Sequence, residues 1–161
     1  MKWEKLYSMQ QQLDSYIEKK HQLEDRDLFE EKYLALLVEL GELANETRCF
    51  KFWSNKERSE KEVILAEFVD GIHFILSLGL EKGYRYNGEL LVSDNRSETE
   101  QFNQIFIQAA LFKQDSSLEN YISLFQEYLK LGILLGYSEE DMQQAYFKKN
   151  EINYERQNEG Y

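Results

Sequence analysis

The sequence predicts an all-α bundle of about six helices, and three observations carry that expectation. Proline, which breaks helix interiors, is absent from all 161 residues. Apolar residues recur at three- and four-residue steps along most of the chain, the period of a helix face rather than of a strand. No repeat, low-complexity tract or Ser/Gly linker breaks the pattern, so residues 1–161 read as one domain of ordinary size.

Taken in order, the first helix runs from Trp3 to about Leu23, with Leu6, Met9, Leu13, Tyr16 and Ile17 as its apolar face. The second spans about Asp27 to Thr47 and places Leu28, Leu36, Val38, Leu40 and Leu43 inside. Phe50-Lys51-Phe52-Trp53-Ser54-Asn55-Lys56 reads as an aromatic loop. Ser59 is expected to cap the third helix, with Glu62 completing a capping box. That helix carries Val63, Leu65, Ala66, Val69, Ile72, Ile75 and Leu76, and ends near Gly79–Gly83. Residues 84–97 keep no period and are expected to form a mobile connection. Helices resume at about Glu98–Phe112, Ser116–Leu135 and Ser138–Asn158. Leu118, Ile122, Phe125, Leu129 and Ile133 mark the apolar face of the fifth, and the acids after Ser138 suit the positive end of the sixth.

Composition excludes several classes of function. With 19 Lys+Arg against 30 Asp+Glu, the net charge of −11 repels phosphate backbones, so no nucleic acid polymer is expected as a partner. The single cysteine, Cys49, makes neither an internal disulfide nor a cysteine zinc site. No apolar run approaches the ~20 residues that span a bilayer, and the N-terminus lacks a signal-peptide pattern. The expectation is a cytoplasmic protein with no membrane partner.

The informative pattern is acidic. Glu39 and Glu42 lie three apart and share one helix face, which Glu46 continues; Glu67 and Asp70 repeat the spacing on the third helix. Both pairs sit in apolar stretches, where an uncompensated carboxylate is costly. If the two helices pack antiparallel across the aromatic loop, four acids converge and raise one another's pKa values. A hard divalent cation such as Mg²⁺ relieves that repulsion through oxygen ligands. Gly41 and Gly71 beside the pairs point to close helix approach there. The alternative at this point is a solvated acidic face with incidental glycines. Lys149, Asn153 and Arg156 share one face of the last helix, suited to phosphate oxygens and a pyrimidine edge, or merely to the negative end of the dipole.

Along most of its length the chain resembles the dimeric all-α dUTPases, relatives of the MazG-type nucleotide pyrophosphatases. The resemblance is carried by Ala35-Leu-Leu-Val-Glu39-Leu-Gly-Glu42-Leu-Ala-Asn-Glu46 and Phe50-Lys-Phe-Trp53-Ser. It continues through Glu67-Phe-Val-Asp70-Gly-Ile-His73-Phe74 and Lys149-Asn150-Glu-Ile-Asn153-Tyr-Glu-Arg156-Gln157. It implies a homodimer that hydrolyses dUTP, and dUDP as well, to dUMP with Mg²⁺, water attacking the β-phosphorus. By the same resemblance Glu39, Glu42, Glu67 and Asp70 hold the metal, with Glu39 or Glu42 orienting the water and Glu46 at most outside the ligand set. Lys149, Asn153 and Arg156 would meet the nucleotide, as would Lys56. Gln10, with Asp14 near it, matches the family's base-binding segment, and Trp53 and Phe74 would wall the uracil. His73 reads as a hydrogen-bonded core residue. Two rivals remain on sequence grounds: a pyrophosphatase acting on dCTP or modified nucleotides, and a non-catalytic bundle whose 11 tyrosines mark a protein interface.

Overall fold

The computed structural model describes residues 1–88 and 95–160. Among these the chain forms six helices and no strand: α1 (Trp3–Lys20), α2 (Phe29–Thr47), α3 (Lys61–Lys82), α4 (Glu98–Gln114), α5 (Leu118–Leu134) and α6 (Glu139–Asn158). The middle of the expected mobile connection, residues 89–94, lies outside the described residues.

Helix α3 is the axis of the bundle, packed against α1, α2, α5 and α6, while α4 packs on α5 and α2. Its sequence explains this position, since Ile64, Phe68, Val69, Ile72, Ile75, Leu76 and Leu78 are buried on more than one face. The helix is long and apolar enough by composition to cross a membrane, which corrects the expectation that no segment is. Its neighbours supply the apolar surroundings instead.

The start expected at Ser138 forms, and serines cap α4 and α5 as well. Ser97 with Glu100 and Ser138 with Asp141 form full capping boxes on α4 and α6, and the Ser117 hydroxyl caps α5. The box expected at Ser59 does not form. Helix α3 begins two residues later behind Glu60, because the Ser59 hydroxyl donates to the Glu46 carboxylate across the loop. Val38, expected inside, is 50% exposed because it faces away from α3.

Six of the 11 tyrosines (Tyr7, Tyr86, Tyr121, Tyr128, Tyr137 and Tyr146) are buried, which removes tyrosine abundance as a sign of an interface. Their hydroxyls find partners in the core: Tyr121 donates to the Ile75 carbonyl at 3.1 Å and Tyr128 to the Phe68 carbonyl at 2.7 Å. These rings need small residues opposite them. A Cβ at Gly71 would stand 2.0 Å from the Tyr128 hydroxyl oxygen, whereas one at Gly41 would meet nothing within 4 Å. The expectation of close approach therefore holds only for Gly71, and toward α5 rather than across the α2–α3 pair.

Candidate active site

The α2–α3 pair is antiparallel. Lys32 near the start of α2 reaches Glu81 near the end of α3, and Glu46 near the end of α2 reaches Ser59 before α3 begins. Midway along, Glu39 meets Glu67 and Asp70, and carboxylate oxygens of the three lie within 4.8 Å of one another. Glu42 is exposed and stands outside this group. A step of three residues turns it about 60° round the helix from Glu39, enough to carry it from the helix contact toward solvent. Glu46 is held by Ser59 and serves as a clasp on the loop.

Electrostatics follow from that crowding. Burial pushes the Glu39 carboxyl up to about 7, helped by the charges of Asp70, Glu42 and Glu67. Glu67 is raised by burial and then by Asp70. Asp70 is also raised by burial, against the opposing pull of Lys149 and Arg156. The Lys149 ammonium lies 2.5 Å from Asp70 Oδ2, both side chains being largely covered, at 12% and 16% exposure. Three crowded carboxylates, all resisting ionisation, with an ammonium drawn to one of them, form an oxygen donor set that calls for positive charge. These residues fit a hard divalent cation such as Mg²⁺.

A cavity of about 570 Å³ opens beside this group, within the usual range for a small-molecule site. Glu39 and Asp70 line one end; Gln10, Asp14, His73, Phe74 and Ser77 form its wall, with Asn153 and Arg156 reaching in from α6. Helices α1, α2, α3 and α6 thus place six of the expected site residues (Gln10, Glu39, Asp70, Phe74, Asn153 and Arg156) around one space. Lys149 joins them through Asp70.

Trp53 and Lys56 are not brought there. Trp53 is 65% exposed and packs edge-on against Phe52 and Phe50, with ring centroids 5.0 and 5.9 Å away. Lys56 is exposed on the same loop. The loop follows the far end of α2, eight residues or about 12 Å of helix beyond Glu39.

The wall of the cavity contains a polar chain that the sequence did not reveal as a unit. Gln10 Nε2 donates to Asp14 Oδ1 at 2.8 Å, and the Ser77 hydroxyl donates to Asp14 Oδ2 at 2.5 Å. Gln10 Oε1 accepts the Tyr146 hydroxyl at 2.9 Å and lies 2.7 Å from His73 Nδ1. Lys32 sits 3.8 Å from Asp14 and also pairs with Glu18 and Glu81. Burial pushes the Asp14 carboxyl up against the pull of Lys32, Ser77 and Gln10. Spacing held a partial signal. Asp70, Phe74 and Ser77 step by four and three on α3, as Lys32, Ala35 and Glu39 do by three and four on α2. Tyr146, 136 residues from Gln10, had none.

A family model described as dUTPase matches residues 2–161, essentially the whole chain. No curated protein matches it.

Proposed function

The chain belongs to the all-α dUTPase family and hydrolyses dUTP to dUMP; on that premise we propose that it does so with Mg²⁺ held by Glu39, Glu67 and Asp70, and that it accepts dUDP as well. The observation that carries this reading is the three-carboxylate group, two of whose members, Glu39 and Asp70, line the cavity. A bound divalent cation would neutralise phosphate charge and activate the attacking water. The protein's own groups do the rest. Glu39, in the three-carboxylate group, would orient the attacking water and take its proton. Arg156 and Lys149 meet the phosphate oxygens, Lys149 leaving Asp70 to do so. Gln10, Phe74 and Asn153 hold the nucleoside against the cavity wall.

The test is pyrophosphate release from dUTP, dTTP, dCTP and UTP, with Mg²⁺ and with EDTA. Turnover is expected with dUTP alone, and only with the metal. Turnover spread across the bases would favour the broader pyrophosphatase, and turnover in EDTA would remove the metal from the reading. In the same assay Arg156→Ala is expected to raise KM for dUTP about tenfold, as loss of a charge-assisted contact does, and to keep the base preference. A changed base preference with unchanged KM would move Arg156 off the phosphates.

A homodimer is part of this proposal. Helices α2 and α4 pack together and leave Leu34 (61% exposed), Val38, Ile107 (53%) and Leu111 on their outer surfaces, more apolar area than a lone acidic bundle needs to show. A light-scattering mass of two chains is expected, falling to one in Leu34→Glu/Val38→Glu. A one-chain mass in the wild type would overturn it. A cytoplasmic setting goes with the lone, unpaired Cys49, and cell fractionation checks it.

A further inference from the structure

One buried polar atom of a residue that lines the cavity has no partner. His73 Nε2 is buried without a hydrogen bond, in a residue that is 4% exposed and lines the cavity. The rest of the ring is held firmly: it stacks on Tyr146 with centroids 4.2 Å apart, and Nδ1 faces Gln10 Oε1. The orientation of the Gln10 amide is set from behind, because its Nε2 donates to Asp14, which is fixed in turn by Ser77. The oxygen that Gln10 turns toward His73 only accepts, so Nδ1 carries the ring's proton. Burial keeps the ring neutral by pushing its pKa down to about 3, with Lys149 adding to the effect. What remains at Nε2 is a lone pair that accepts and cannot donate. Leaving such an acceptor buried and unmet is costly.

We propose that His73 reads the pyrimidine edge of the substrate, its Nε2 accepting the N3–H of uracil, and that Asp14 acts through Gln10 as the positioning residue that fixes the required tautomer. This assignment builds on the dUTPase reading above and adds the atom that separates two bases. N3 carries a hydrogen in uracil and a lone pair in cytosine. Against Nε2 the first forms a hydrogen bond and the second sets two lone pairs face to face. Thymine shares uracil's edge, so His73 rejects cytosine and leaves the methyl group to the shape of the cavity. A 2′-deoxyuridine 5′-phosphate has one other donor on its nucleoside, the 3′-hydroxyl. A hydroxyl both donates and accepts, and either tautomer would serve it. The chain from Asp14 to His73 has a purpose only if the partner is a donor alone.

The chain has two histidines, so exposed His21 serves as an internal reference in the ¹⁵N spectrum of histidine-labelled, metal-free protein. Titrations use dUMP, dCMP and 2′,3′-dideoxyuridine monophosphate, with affinities from calorimetry. In the free protein His73 is expected to show an unprotonated Nε2. That resonance shifts with dUMP and with the dideoxy compound, while dCMP binds about 10- to 100-fold more weakly and leaves it unmoved. A protonated Nε2 in the free protein, or dUMP binding without a shift, overturns the assignment while leaving the dUTPase reading intact. A shift kept with dCMP and lost with the dideoxy compound also overturns it, in favour of the sugar hydroxyl. If dUMP does not bind at all, the nucleotide reading of the cavity fails, and this assignment with it. Asp14→Asn lets the Gln10 amide reverse. It is expected to populate the Nε2-protonated ring and to bring the dUMP-to-dCMP affinity ratio toward one; an unchanged tautomer and ratio would remove Asp14 from the role.

Discussion

Glu39→Gln is expected to abolish dUTP hydrolysis and to raise the stability of the metal-free protein. The loss of turnover follows from its place in the three-carboxylate group, where several kcal/mol of transition-state stabilisation is at stake, about a thousandfold in rate or more. The gain in stability follows from repulsion. The carboxyl is held at about 7 against an ordinary 4.5, so the folded state keeps a proton there that the unfolded chain has released. Stability from this group is complete below about 4.5 and is lost as pH rises through about 7. Glutamine carries no charge to lose, so the advantage of the variant over wild type in EDTA grows between about pH 5 and pH 8. At the upper end it is of the order of 1 kcal/mol, kept small because the side chain is partly solvated, or roughly 2–4 °C in Tm.

His73 works in the opposite sense, its contribution present above 6.5 and lost as pH falls toward about 3. Only the difference between the variant and wild type therefore isolates Glu39. A flat difference would mean that the carboxylates are not crowded; undiminished turnover would remove Glu39 from the mechanism. Asp70→Asn is expected to lose turnover equally without the gain in stability. Its amide leaves the largely covered Lys149 ammonium without its counter-ion, which offsets the relief of repulsion.

Gly71→Ala is expected to be the most destabilising single-methyl change in α3. The added Cβ would sit 2.0 Å from the Tyr128 hydroxyl oxygen and 2.5 Å from the ring carbon bearing it. Tyr128 cannot yield cheaply: it is fully buried, donates to the Phe68 carbonyl and stacks on Phe68 with centroids 4.8 Å apart. Overpacking of this kind costs about 3 kcal/mol, or roughly 6–12 °C in Tm. Gly41→Ala supplies the contrast. With open space around the new methyl and a helix interior that favours alanine, it should stabilise by about 0.5–1 kcal/mol. Denaturant melts of the two variants check the pair. Equal midpoints would show that Tyr128 does not occupy the notch at Gly71.

The difference between those two glycines marks where sequence reasoning stops. Helical periodicity, the absence of proline and the serine start of α6 are local properties, and they were legible because each depends on neighbours within about one turn. The acidic spacing on α2 and α3 was legible for the same reason, and so was the face shared by Lys149, Asn153 and Arg156. Each such pattern says that residues share a face. None says what lies opposite. Ser59 has the sequence of a cap, yet its hydroxyl turns to Glu46 because the loop brings a carboxylate within reach. Glu42 shares a helix face with Glu39 and remains outside the carboxylate group because a helix contact is narrower than a face. Trp53 and Phe74 are both apolar residues in motif positions, and only Phe74 lies on the stretch of helix that borders the cavity.

By itself, then, the sequence determined the helices, their apolar faces and the acidic and basic residues available for phosphate chemistry, because those follow from intervals of three and four residues. The tertiary structure alone decided which of them meet. Gln10, Asp14, His73, Ser77 and Tyr146 are as many as 136 residues apart, and they form one hydrogen-bonded chain only because α1, α3 and α6 pack side by side. Contacts of that range are set by the packing of whole helices, which no local interval encodes.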